Sequence, residues 1–192
     1  GLKSIRNEEI LSEVGRYIQG EYFWLVPKSS VLILESEAVG NYLKDAFPRI
    51  AEAKVEKVFP DRINISVRER EFFGILCNDF FLPEFLGTTT PAGLRNSDPQ
   101  CAYLDNTGFA YEDGPNSYGS LIIKLSTDAE KINVPSQVLD KSLLDEMLFL
   151  KKRVEGMVGS GVVGFEYLFR IPKETKVLTG DGFKIIFSRE ED

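Results

Sequence analysis

The stretch that most constrains this chain runs from Phe59 to Arg70, F-P-D-R-I-N-I-S-V-R-E-R. Ile63, Ile65 and Val67 alternate with Arg62, Asn64, Ser66 and Arg68, the period of two that marks a half-buried strand. Pro60-Asp61 just before it suits a tight turn. Upstream, Ala53, Val55 and Val58 make a weaker apolar run, so a hairpin of strands 53–58 and 62–70 is expected. Its register puts Ile63, Ile65 and Val67 inside and the polar row outside, because a one-residue slip would exchange the faces. Glu69 shares the apolar row and is expected at the rim of the core, or against a cation.

Two helices precede this hairpin. Asn7 followed by Glu8 and Glu9 reads as a helix start, since a capping side chain and early acids suit the positive end of the dipole. Ile10, Leu11, Val14, Tyr17 and Ile18 repeat at helical spacing up to Gly20. Tyr22 to Val26 is too apolar for a solvent-facing loop and is expected to pack as an extended connector, with Trp24 a core anchor. A second helix starts near Ser36, presents Ala38, Val39, Tyr42, Leu43 and Ala46, and ends at Phe47-Pro48. The first segment is therefore a compact α+β unit.

After a boundary near Glu71 the pattern changes. Phe72–Cys77 is a strand, and 78–100 is a long loop rich in Gly, Pro, Thr and Asn. Cys101–Leu104 and Phe109–Tyr111 form a hairpin around Asp105-Asn106-Thr107-Gly108, and Leu121–Leu125 is a further strand. From Ser136 onward, Leu139, Leu143, Met147, Leu150, Val154 and Met157 step by three or four, which predicts about five helical turns. Such a face fits burial against a sheet better than a coiled coil. Strands over 162–171 and 173–187 follow, the latter a hairpin turning at Gly180-Asp181-Gly182. There is no internal repeat.

Composition narrows the function. A net charge of -7 argues against nucleic acid, because binding phosphates needs a clustered basic surface. No apolar run approaches the ~20 residues of a membrane span. The chain opens on Gly rather than Met and is expected to be a piece of a longer protein. With no histidine, the commonest general base, the Ser-His and Cys-His pairs and most zinc sites are absent, leaving carboxylates or lysines for any catalysis. Asp105-Asn106-Thr107-Gly108 comes near the D-T-G loop of aspartic proteases, but Asn106 stands where the catalytic Asp belongs, and no second copy exists. The glycines at 156, 159, 161 and 164 follow a helix, the reverse of the order a phosphate cradle needs. Asp105, Asn106 and Asp113 do not make a calcium loop. No cofactor or metal is expected. Cys77 and Cys101, at the two ends of the long loop, are either a disulfide joining neighbouring antiparallel strands or two buried thiols.

Several segments together resemble the extracytoplasmic part of the FtsQ/DivIB family of bacterial division proteins. They are Gly1 with Asn7-Glu8-Glu9-Ile10, Phe47-Pro48-Arg49-Ile50, Val55 with Phe59-Pro60, and above all Ile63 to Arg70. The last is similar to the family's "fP..L.I.V.ER" pattern, and Tyr103 to Tyr111 is similar to its "vD..G.vf". Beyond residue 111 only the order of elements agrees. Phe72 stands where the family usually has Pro shortly after the Glu-Arg pair. The resemblance implies an α+β fold in two parts. Residues 1–71 would form a POTRA-like domain, two helices on a small sheet, lacking its first strand. Residues 72–192 would form a mixed, mainly antiparallel β domain with one long helix, cut short at its C-terminus.

It further implies a non-enzymatic scaffold of the division machinery, a single-pass protein of the cell membrane. One N-terminal helix absent here would anchor it, with the domains on the extracytoplasmic side. That location favours the Cys77–Cys101 disulfide. The expected partners are small coiled-coil division proteins of the FtsB and FtsL type, met by strand edges and helix faces. The residues expected to take part are Arg68, Glu69 and Arg70, and Gly182, Ile185 and Phe187, with Ile185 and Phe187 left uncovered at an edge. The family continues beyond this chain with a helix and a strand where those partners dock, so weak partner binding is expected. The alternatives are a POTRA module of another export or outer-membrane assembly system, which would repeat the unit, and an envelope hydrolase using two convergent carboxylates.

Overall fold

The computed structural model describes residues 5–19, 21–22, 26–27, 33–79, 99–116 and 121–188. They divide into two compact units, Gly1–Arg70 and Glu71–Asp192. Trp24 and most of the 78–100 loop lie outside the described residues.

In the first unit the order is α1 (Asn7–Tyr17), β1 (Glu21–Tyr22), β2 (Val26–Pro27), α2 (Ser36–Ala46), β3 (Ile50–Val58) and β4 (Arg62–Glu69). The capping position of α1 is Arg6, not Asn7: the Arg6 carbonyl accepts the N–H groups of Glu9 and Ile10, so Asn7 is already helical. The Arg6 guanidinium pairs with Glu9 at 2.6 Å, an exposed contact worth a few tenths of a kcal/mol at most (about 0.3). Ile10 and Val14 of α1 and Val39, Gly40 and Leu43 of α2 are buried, whereas Ala46, in the last turn, is exposed. Gly40 lets α2 come close to β3, since a Cβ there would stand 2.9 Å from the Ala53 carbonyl oxygen.

β3 and β4 pair antiparallel from Ile50↔Glu69 to Val58↔Arg62. β3 begins three residues earlier than its apolar run indicates, because Ile50 is fully buried against the helices. The register of β4 is the expected one, with Arg62, Asn64, Ser66 and Arg68 exposed. Ile63, Ile65 and Val67 pack toward the core but are only half-buried. The reason is that α2 lies over β3 rather than over β4, so the inner row of β4 is covered from one side.

The second unit is built on an eight-stranded sheet in the order β12-β11-β10-β8-β5-β6-β7-β9. These strands are β5 (Phe72–Cys77), β6 (Cys101–Asp105), β7 (Phe109–Asp113), β8 (Lys124–Thr127), β9 (Ser136–Gln137), β10 (Val162–Tyr167), β11 (Glu174–Thr179) and β12 (Lys184–Ser188). β8 is parallel to both β5 and β10, and the other pairings are antiparallel. The sheet is thus mixed and mainly antiparallel, and with α3 (Lys141–Val158) the fold is α+β as expected.

α3 starts at Lys141 rather than Ser136, because Ser136 and Gln137 are drawn into the sheet beside β7. It has 18 residues, the expected five turns, and ends at Gly159 with φ 71°. Its buried side, Leu143, Leu144, Met147, Leu150 and Val154, packs with Phe165, Leu125, Leu76 and Val177 on one sheet face, so the helix is covered by the sheet. Met157 leaves this face and is 76% exposed. β8 starts at Lys124, leaving Leu121 exposed, and β10 stops at Tyr167 because residues 168–173 turn back toward β11. The second sheet face carries a smaller cluster of Ile75, Cys77 and Cys101, with Tyr103 and Ile122 against it. Among the described residues no helix is long and apolar enough to cross a membrane.

Candidate functional site

Cys77 and Cys101 stand directly opposite each other in the β5–β6 ladder and are joined, with S–S at 2.06 Å. Their Cα atoms are 4.1 Å apart, closer than the roughly 4.4–6.8 Å usual for disulfides. The next pair explains this. The Asn78 N–H donates to the Gln100 carbonyl, so residues 78 and 100 are a hydrogen-bonded pair and 77 and 101 fall on the narrower, non-bonded step.

The Asp105–Gly108 turn is structural. Asp105 is buried, and its Oδ1 accepts from the Thr107 N–H at 2.8 Å, the Thr107 hydroxyl at 2.7 Å and the Phe109 N–H at 3.0 Å. Gly108, at φ 87°, closes a three-residue hairpin loop, and its carbonyl accepts the N–H groups of Val138 and Leu139. The family-like motif therefore holds the segment leading into α3. Among the described residues no group of three or more acids or cysteines could hold a metal ion.

The Arg68-Glu69-Arg70 residues do not converge. The Arg68 side chain is exposed and meets Glu52 across the hairpin at 3.3 Å. Glu69 Oε1 accepts the backbone N–H of Ile5 at 3.2 Å, which gives the carboxylate in the apolar row a donor. Arg70 Nε donates to the Pro48 carbonyl at 2.8 Å while its backbone N–H donates to Arg49, so it ties down the link between α2 and β3.

β12 is an end strand of the large sheet, and among the described residues β11 is its one neighbour. The hairpin is closed by Gly180-Asp181-Gly182, with Gly182 at φ 84° and its N–H donating to Thr179. Gly182 thus serves the turn. The Thr179 N–H donates to the Phe183 carbonyl, which makes 179 and 183 a hydrogen-bonded pair. By antiparallel alternation, Ile185 and Phe187 also bond toward β11, while the N–H and C=O groups of Lys184, Ile186 and Ser188 point to the open edge. Ile185 and Phe187 are not uncovered: both are half-buried against the core, because their row faces the same side as Val177 and α3. Ile186, at 56%, is the exposed apolar residue of the strand.

Sequence reading missed three residues here, namely Ile186, Lys184 and Glu166. Lys184 reaches across β11 to Glu166 of β10, with Nζ 2.7 Å from Oε1. The pair is separated by 18 positions and needs the register of three strands to be seen. Glu155 is another link of this kind. Its Oε1 accepts from Lys151 at 2.5 Å and from the Val162 N–H at 3.2 Å, tying the end of α3 to the start of β10. These two bonds, that from Lys151 first, hold its carboxyl below the usual carboxylate range.

No curated protein matches the chain. The family model of the POTRA domain, FtsQ-type, matches residues 1–70, the whole of the first unit. Residues 1–70 are thus similar to a POTRA domain of the FtsQ type, and that match supports reading the chain as part of an FtsQ/DivIB-family division protein.

Proposed function

We propose that this protein is a non-enzymatic scaffold of the bacterial division machinery. It works on the extracytoplasmic side of the cell membrane and binds division partners of the FtsB and FtsL type. In this reading 1–71 is the POTRA module, 72–192 is the β domain, and a membrane helix anchors the whole protein. The FtsQ-type match over residues 1–70 carries the reading. The outer side of β12, which has no strand neighbour among the described residues, supports it as a place where an extended segment can add, since main-chain groups of Lys184, Ile186 and Ser188 face outward there.

The test is binding of purified extracytoplasmic segments of FtsB- and FtsL-type proteins to this chain and to its Ile186→Pro variant. Proline removes the outward N–H at a position where an edge strand tolerates it. Weak binding to the parent chain that is lost in Ile186→Pro is expected. Undiminished binding to the variant would move the contact away from β12.

A further inference from the structure

The Cys77–Cys101 disulfide ends the β5–β6 ladder but lies inside the protein. Cys77 is wholly buried and Cys101 is 6% exposed, packed with Ile75, Tyr103 and Ile122 on the second sheet face. The adjoining rung is tied twice: the Asn78 N–H donates to the Gln100 carbonyl at 3.0 Å, and the Gln100 N–H to Asn78 Oδ1 at 2.6 Å. The same two side chains hold the segment ahead of β9. Asn78 Nδ2 donates to the Glu130 carbonyl at 3.2 Å, and Gln100 Oε1 accepts the Ile132 N–H at 3.3 Å. Ile132 belongs in turn to the main core, so this rung cannot part without disturbing it. Thiol–disulfide exchange requires a thiolate to touch a sulfur, and the folded sheet gives it no approach to either of these.

We propose that this disulfide is installed before β5 and β6 pair, by a disulfide-bearing oxidant acting on the still unfolded chain. The chain is then the substrate of a thiol-oxidation reaction that must precede its folding. One cysteine thiolate attacks a sulfur of the oxidant's disulfide, forming a mixed disulfide and releasing the oxidant's other sulfur as a thiolate. The second cysteine thiolate attacks the chain's own sulfur in that mixed disulfide and releases the oxidant's remaining sulfur. The two protons shed by the cysteines end on the oxidant's sulfurs, and two electrons pass from the chain to the oxidant, which leaves as a dithiol. Nothing in this order needs the folded sheet. With two cysteines in the sequence, early closure has one pairing to choose within the chain. A separation of 24 keeps the second thiol near the mixed disulfide even in an unfolded chain.

By microscopic reversibility, a route that could install the link in the folded chain would also take it apart there. The oxidised chain is therefore treated with dithiothreitol in native buffer and in urea, and free thiols are counted by alkylation and mass spectrometry. Reduction in native buffer should be about a hundredfold slower or more, since the bonds of the 78–100 rung must open first. In the forward direction, chain reduced in urea is diluted into native buffer, and glutathione disulfide is added either at dilution or after folding is complete. Early addition should close the link far faster than late addition. Amide exchange of β5 and β6 in the reduced chain reads whether the strands have paired. Reduction at the same rate in native buffer as in urea would overturn the proposal, because the sulfurs would then be open to an oxidant in the folded state. Equal rates for early and late addition, with the β5 and β6 amides already protected, would overturn it as well. If those amides stay unprotected until the link forms, the order is the proposed one, since pairing then waits for oxidation.

Discussion

Gly108 sits at φ 87° with the Leu139 carbonyl oxygen 2.1 Å from where a Cβ would be, so both backbone conformation and space exclude a side chain. Gly108→Ala should lower stability by about 2 kcal/mol or more, read as the denaturant midpoint, because the segment entering α3 would have to move. Of three helical glycines, two go the other way. Gly15 and Gly156 have nothing within 4 Å of a built Cβ, and alanine there should add about 0.5–1 kcal/mol. At Gly40 the same gain meets the Ala53 carbonyl at 2.9 Å, and overpacking by about 1–3 kcal/mol should make Gly40→Ala neutral or worse. Glu155 gives a pH signature. Its carboxyl is held below its unfolded value, so its contribution is present above the usual range near 4.3 and is lost as pH falls through the lower, folded value. Glu155→Gln should therefore flatten the acid limb of the Tm–pH profile, and an unchanged limb would show that the Lys151 and Val162 bonds do not hold in solution.

Among the elements, the β5–β6 pair is the one that carries a covalent link. The disulfide spans a sequence separation of 24, and in the chain-entropy estimate closing such a loop stabilises by about 3.5 kcal/mol. A Cys77→Ala/Cys101→Ala variant should lose a comparable amount, measured by denaturant unfolding against the oxidised parent. Both sulfurs belong to the small cluster on the second sheet face, so apolar replacements keep its packing and the loss reports mainly on the link.

At the scale of the molecule, each unit owns a core. Ile10, Val39, Leu43 and Ile50 anchor the first, and Phe165, Leu144, Met147 and Val177 anchor the second. Reduction should accordingly lower the melting of the 71–192 unit and leave that of the 1–70 unit in place, which residue-resolved amide exchange can follow. A single cooperative loss of protection across both units on reduction would show that they unfold together.

Local pattern was enough for much of this. The two-residue period of 62–68 set the faces of β4, helical spacing and Gly159 set the length and end of α3, and both Gly-containing loops marked their hairpins. The Ile63–Arg70 motif pointed to the domain type that residues 1–70 match. Each is legible because it depends on neighbours a few positions away. The rest needed long-range register. Ser136 joined the sheet because β7 offered it a partner, and Ile50 opened β3 because the helices covered it. Glu69 was tolerated in an apolar row because the Ile5 N–H reached it. Period two could say that Ile185 and Phe187 share a face, but only the placement of α3 over β11 decided that this face is the core. That left Ile186 exposed, with Lys184 drawn to Glu166, on the end strand of the described sheet. Strand pairing and burial are set by residues distant in the chain, and no local spacing encodes which of them will meet.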